Sequence, residues 1–224
     1  MLGHLRPTRL ALAAGAAIAL ALAVALVVVL TGSGKAGSPS SQAPSSTSPE
    51  SGFDGAAFPG SIPAPGFTLS DQSGRAVSLS DYRGRVVVLT FLYSTCGATC
   101  VVIAQQIRGA LNELEDEHAR APAVLIVSAD PAADTPARVS RFLAQQSLTG
   151  RAQYLTGPLS RLRTIWRAYH VRPASDGRAA FDNYASVLLV DARGDQRVLF
   201  QSEELTPEGL SHDIGKLDGD PTLP

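Results

Sequence analysis

Apolar residues follow three patterns along this chain, and each predicts a different kind of segment. Residues 10–30 are Ala, Val, Ile and Leu broken only by Gly15. As a helix rising about 1.5 Å per residue, such a run is ~31 Å long, enough to cross a bilayer. Arg6 and Arg9 precede it and no acidic residue occurs before Glu50, so the positive-inside rule puts residues 1–9 in the cytoplasm and the rest outside. The run is longer than the apolar core of a secretory signal. It predicts an uncleaved single-span anchor, with cleavage near the small residues 32–37 left open. Of the 30 residues 31–60, 18 are Gly, Ser or Pro. They predict a solvated tether, residues 31–61, that cannot offset its ordering entropy. A folded domain is expected over residues 62–224.

Within that domain, residues 85–93, 123–127 and 186–190 are near-continuous β-branched and aliphatic runs without alternation, the pattern of strands buried on both faces. Between them lie stripes at helical spacing: Ile103, Ile107, Ala110, Leu111 and Leu114; Leu159, Leu162, Ile165, Trp166 and Tyr169; and Leu210, Ile214 and Leu217. A further helix is predicted at Asp134-Thr135-Pro136, with Asp134 as its cap and Pro136 in its first turn. Residues 67–69 and 77–79, joined around Ser73-Gly74, predict an added hairpin. Residues 191–194 predict a turn into a strand at 197–200. Strands alternating with helices imply an α/β sheet covered on both faces.

Composition narrows the chemistry. A formal net charge of -1 with no basic run argues against a nucleic-acid partner. Two cysteines make neither a disulfide framework nor a four-thiolate zinc site.

Both cysteines lie in Tyr93-Ser-Thr-Cys96-Gly-Ala-Thr-Cys100, the loop between the first long strand and the first helix. Such loops sit at the carboxyl edge of open α/β sheets, where ligands bind. A helix N-terminus there favours thiolate, the nucleophilic and metal-binding form. Side chains four apart on a helix have Cβ atoms about 5–6 Å apart, whereas a disulfide needs about 3.5–4.5 Å. Cys96 and Cys100 can therefore oxidise only if Cys96 stands off the regular helix. Reduced, the two thiolates are soft ligands that suit Cu(I). A buried structural pair or an inert disulfide are the plainer alternatives.

Phe91-Leu-Tyr93 with Cys96 and Cys100, the approach Pro63-Ala-Pro-Gly-Phe-Thr-Leu69, Gly74-Arg-Ala-Val-Ser-Leu79, Gly84-Arg-Val-Val-Val88, and Ser128-Ala-Asp-Pro-Ala-Ala-Asp-Thr-Pro136 together resemble the Sco/SenC family. The resemblance runs from about residue 63 to 200. It implies a thioredoxin-like fold on a membrane tether, and copper held by two cysteines and one histidine. It also implies a role in assembling the CuA centre of cytochrome c oxidase, by metal delivery or by reduction of the acceptor's cysteines. On this reading the partners are the membrane and an oxidase subunit or another thiol or copper protein.

Two positions depart from the family. Val101 stands where proline follows the second cysteine. Asn183 stands where the family's histidine ligand is expected, seven residues before Val190, and an amide oxygen is a poor copper ligand beside an imidazole. His4, His118, His170 and His212 are weak substitutes, His170 as a helix-end residue. Asp130, at a strand end near the cysteine edge, is a candidate for a functional contact. A second function class follows: thiol–disulfide exchange at Cys96 and Cys100 without metal, Cys96 attacking and Cys100 resolving. A general thioredoxin is disfavoured because residues 174–192 contain no proline, and a peroxidase because the cysteines are paired. A non-catalytic tethered binding module is the third class.

Overall fold

Adjacent residues of one strand feed two different cores. Val88 and Leu92 join an apolar cluster on one side of the sheet, and Val87, Leu89 and Phe91 join a second cluster on the other. The computed structural model describes residues 52–219. In chain order its elements are β1 (Ala56–Pro63), β2 (Thr68–Ser70), β3 (Ala76–Ser78), β4 (Val87–Leu92), α1 (Ala98–Asp116), β5 (Ala123–Ser128), α2 (Pro136–Gln145), β6 (Ala152–Leu155), α3 (Leu159–Ala168), α4 (Arg178–Asp182), β7 (Ser186–Val190), β8 (Asp195–Gln201) and α5 (Pro207–Asp218).

Six strands form one sheet in the order β1-β8-β7-β4-β5-β6, and β2 pairs with β3 apart from it. β4, β5 and β6 run parallel. β7 is antiparallel to β4, β8 to β7 and β1 to β8. The unbroken apolar runs of β4, β5 and β7 arise because the sheet is covered twice. Apolar residues of α1, α2 and α5 lie in the first cluster. Leu162, Ile165 and Trp166 of α3, with Phe67, Leu69 and Val77 of the hairpin, lie in the second. α5 lies directly on α1. A Cβ at Gly109 of α1 would stand 2.8 Å from Pro207 at the start of α5, so only glycine permits this approach.

The expected hairpin forms, and its turn is closed by Asp71. The Asp71 carboxylate accepts N–H bonds from Ser73 (2.8 Å) and Arg75 (2.9 Å), and Gly74 takes the left-handed φ of 83°. The boundary set at residue 62 is corrected. β1 begins at Ala56, inside the stretch read as tether. It is an edge strand carrying Pro59 and Gly60, with its register shifted between Ala57 and Ile62, so its composition mimics a linker. β6 and α4 are too short to give a periodic signal. No helix among the described residues is long and apolar enough to cross a membrane. The anchor and most of the tether expected from the sequence lie outside those residues.

Candidate functional site

β4 delivers the cysteine loop to the carboxyl edge of the parallel strands. After Leu92 the chain turns through residues 93–97, closed by the N–H of Cys96 donating to the Tyr93 carbonyl at 3.0 Å. α1 starts at Ala98, with Gly97 as its cap and no side chain accepting its first N–H groups. Cys96 therefore stands before the helix and Cys100 within its first turn. The two are joined by a disulfide with Cα atoms 5.8 Å apart, the off-helix arrangement that this spacing demands. Cys100 is 0% exposed among Ile103, Ala104 and the rest of the first cluster. Cys96 is only partly buried, so it is the member that a partner can reach.

A residue assigned to another task by the sequence holds this loop. The cap of α2 is Thr135, whose hydroxyl accepts from the Arg138 N–H at 3.4 Å; Asp134 is not the cap, and the expectation is off by one residue. Asp134 is 5% exposed, and three donors converge on its carboxylate. The Ser94 N–H donates at 2.6 Å, the Ser128 hydroxyl at 2.6 Å and the Tyr154 hydroxyl at 2.8 Å. One side chain thus ties the residue two before Cys96 to the ends of β5 and β6. Burial, and then the Asp134 carboxylate beside it, push the Tyr154 phenol well above its ordinary value of 10, so it stays a donor throughout the physiological range. The Trp166 indole N–H donates to the Ser128 carbonyl at 2.9 Å, which fits the core role expected of it.

Residues 174–185 cross the same edge. The Ala174 N–H donates to the Ala129 carbonyl at 3.2 Å, just beyond β5. Phe181 is 1% exposed and packs edge-on against the Tyr93 ring at 4.9 Å. Asn183 follows α4 as its exposed C-terminal cap. Asp130 accepts from the N–H groups of Ala132 and Ala133, both at 3.2 Å, closing its own turn.

The remaining histidines stand elsewhere. His118 is exposed, against its own helix end. His212 lies 3.1 Å from Asp54 and 3.0 Å from Asp213. Buried Asp213 also accepts the N–H groups of Asp54 and Gly55, fastening the beginning of the described chain to α5. Among the described residues these three form the sole cluster of three ligand-type side chains within 4.8 Å, and the cysteines belong to none. His170 sits beyond the end of α3, lining an open groove. His4 lies outside the described residues. The donors at the cysteine site are two thiolates once the disulfide is reduced. They suit a two-coordinate soft ion such as Cu(I), and they fall short of a two-cysteine, one-histidine set.

The family model SCO1/SenC matches residues 59–217. The chain is 30% identical over 106 residues to the mitochondrial SCO2 homolog of Bos taurus, covering 47% of this chain and 39% of that one. It thus spans well under half of this curated relative. Among solved structures, BsSco, described as a member of the Sco family of cytochrome c oxidase assembly proteins with a disulfide switch, superposes with a TM-score of 0.61 at 21% identity, over 72% of this chain and 96% of BsSco. Bradyrhizobium japonicum ScoI with copper bound superposes with a TM-score of 0.52 at 24% identity, over 70% and 99% of the two chains. At these identities the superpositions establish the fold, the thioredoxin-like Sco fold expected from the motifs. The match of the family model over most of the chain, on a sheet whose edge carries the paired cysteines, establishes that this protein belongs to the SCO1/SenC family.

Proposed function

We propose that this domain exchanges electrons and Cu(I) with a partner protein through Cys96 and Cys100, outside a membrane to which residues 10–30 anchor it, in assembly of the CuA centre of cytochrome c oxidase. The observation that carries the reading is the closed Cys96–Cys100 bond with one sulfur residue buried and the other partly exposed. That asymmetry assigns the roles. In the reduced domain the Cys96 thiolate attacks a partner disulfide, forms a mixed disulfide and expels one partner thiolate. The Cys100 thiolate then attacks the Cys96 sulfur, closes the internal bond and expels the second partner thiolate. Two electrons pass to the partner, whose thiolates take up the protons lost by the two cysteines. Reduced partner cysteines are what a copper centre needs for loading. In the same reduced state Cys96 and Cys100 would hold Cu(I) as cargo. The copper-bound state of a structural relative supports this reading.

Thiol exchange without metal is the second reading, and the exposed amide of Asn183 in the expected ligand position favours it. Titration of the reduced domain against a Cu(I) competitor discriminates the two. Binding that disappears in Cys96→Ser supports copper handling, and binding indifferent to that change refutes it. The reduction potential of the pair is the second measurement: a value below about -300 mV marks an inert structural bond. Asn183→His should restore a third donor. We expect Cu(II) affinity to rise at least about tenfold, some 1.4 kcal/mol, with a new thiolate-to-copper absorption band. A variant that gains neither would show that residue 183 does not face the cysteines.

A further inference from the structure

An open groove of about 900 Å³ runs along the end of α3 and is lined by Arg163, Arg167, His170, Arg172, Asp176 and Tyr184, among others. Its charge is one-sided. Arg163 and Arg167 stand one turn apart on the exposed face of α3, and Arg172 follows on the next segment. Arg167 donates to the Arg163 carbonyl at 3.3 Å and has no carboxylate partner in the groove. The single acid in the lining, Asp176, lies 3.9 Å from Arg172. In a chain whose net charge is -1, three arginines against one aspartate are a local excess of positive charge.

The segment that lines one side of the groove also packs on the cysteine loop. Ser175, Asp176 and Tyr184 line the groove, and in the same segment Phe181 packs on Tyr93, three residues before Cys96. Tyr184 is 58% exposed with the Arg172 guanidinium 5.7 Å from its ring centre, an aromatic–cation pair presented to solvent beside Asn183.

We propose that this groove is the docking surface for an acidic segment of the partner protein, which brings the partner's disulfide to Cys96. The inference rests on the thiol-exchange reading above and adds the partner's chemistry. The charges are spread along one helix and the following loop, which matches distributed negative charge. A small anion would instead be gripped by buried donors, and all three arginines here are exposed. A groove also receives a protruding segment better than the flat surface of a bilayer. Opposite charges across such an interface act chiefly on the encounter rate, by about 10- to 1,000-fold, and salt screens them.

The test uses the reduced full chain in mild detergent, with synthetic peptides that each carry one internal disulfide flanked by glutamates or by serines. The acidic peptide should be reduced at least about tenfold faster than the neutral one at low salt, and the ratio should collapse toward one at high salt. It should also collapse in the triple variant Arg163→Gln, Arg167→Gln, Arg172→Gln, whose changes lie on the surface. Brisk reduction of both peptides at equal rates would overturn the docking inference while leaving thiol exchange intact. Failure to reduce either peptide would overturn both. Arginine-dependent sedimentation with anionic vesicles, without any preference between the peptides, would assign the groove to a lipid surface and overturn the inference.

Discussion

Replacing Cys96 with serine should abolish thiol–disulfide exchange, whereas Cys100→Ser should leave a protein that attacks once and stalls. The difference follows from where the chain puts the two residues. Cys96 lies in the loop before α1 and is partly exposed, while Cys100 lies in the first helical turn and is fully buried. A partner disulfide can meet only the first. With Cys100→Ser, the mixed disulfide between Cys96 and the partner has no internal thiolate to resolve it, so it accumulates and survives non-reducing electrophoresis. Cys96→Ser should form no such adduct, and its exchange rate should fall to the background of a free buried thiol, a loss of at least about a hundredfold on the rule that access and thiolate character govern the rate. Equal trapping by both variants would mean that the loop opens far enough for either sulfur to attack. The assigned order of events would then be wrong.

The largest stability effect should come from Asp134→Ala. The change removes an acceptor from three donors at once, the Ser94 N–H, the Ser128 hydroxyl and the Tyr154 hydroxyl, of which only Tyr154 keeps a second acceptor, the Leu92 carbonyl at 3.1 Å. Ser128 is 0% exposed, so water does not readily replace its lost partner. Each buried donor left unpaired costs about 1–3 kcal/mol. With two donors left without an acceptor, we expect a loss of about 2–4 kcal/mol, read as a lower urea midpoint with the disulfide kept intact in both proteins. Asp134→Asn should recover most of it. Its amide oxygen can still accept from Ser94, and the two hydroxyls can turn to accept from its NH2 group. An alanine variant as stable as the parent would refute the proposed anchoring of the cysteine loop.

The contrast between Asp134 and the cysteines shows what one-dimensional reading can reach. The cysteine site was legible because its signal is local: spacing, flanking small residues and a strand-to-helix transition all lie within a few residues. Asp134 looked like a helix cap because a short acidic residue before Thr-Pro satisfies the local rule. Its actual partners lie 40, 6 and 20 positions away, and nothing local announces them. The third-ligand position is intermediate. Motif spacing pointed to Asn183, and only the fold showed that residues 174–185 cross the sheet edge and pack on Tyr93. The groove arginines belong to a predicted helix and its end, yet their convergence needed the turn at His170, with φ of 55°.

Local physics wrote most of the architecture into the chain. Unbroken apolar runs marked strands covered on both faces, 3.6-residue stripes marked the helices that cover them, and the Ser73-Gly74 turn marked the hairpin. The edge strand β1 escaped, because a strand paired on one side tolerates the proline and glycine of a linker. What tertiary structure alone decided is which distant groups share a point in space. The carboxylate beneath the cysteine loop, the unequal burial of its two sulfurs and the one-sided charge of the groove beside it all depend on how helices and strands pack. Hydrogen bonding and electrostatics act over a few ångströms, and separation along the chain does not report that distance.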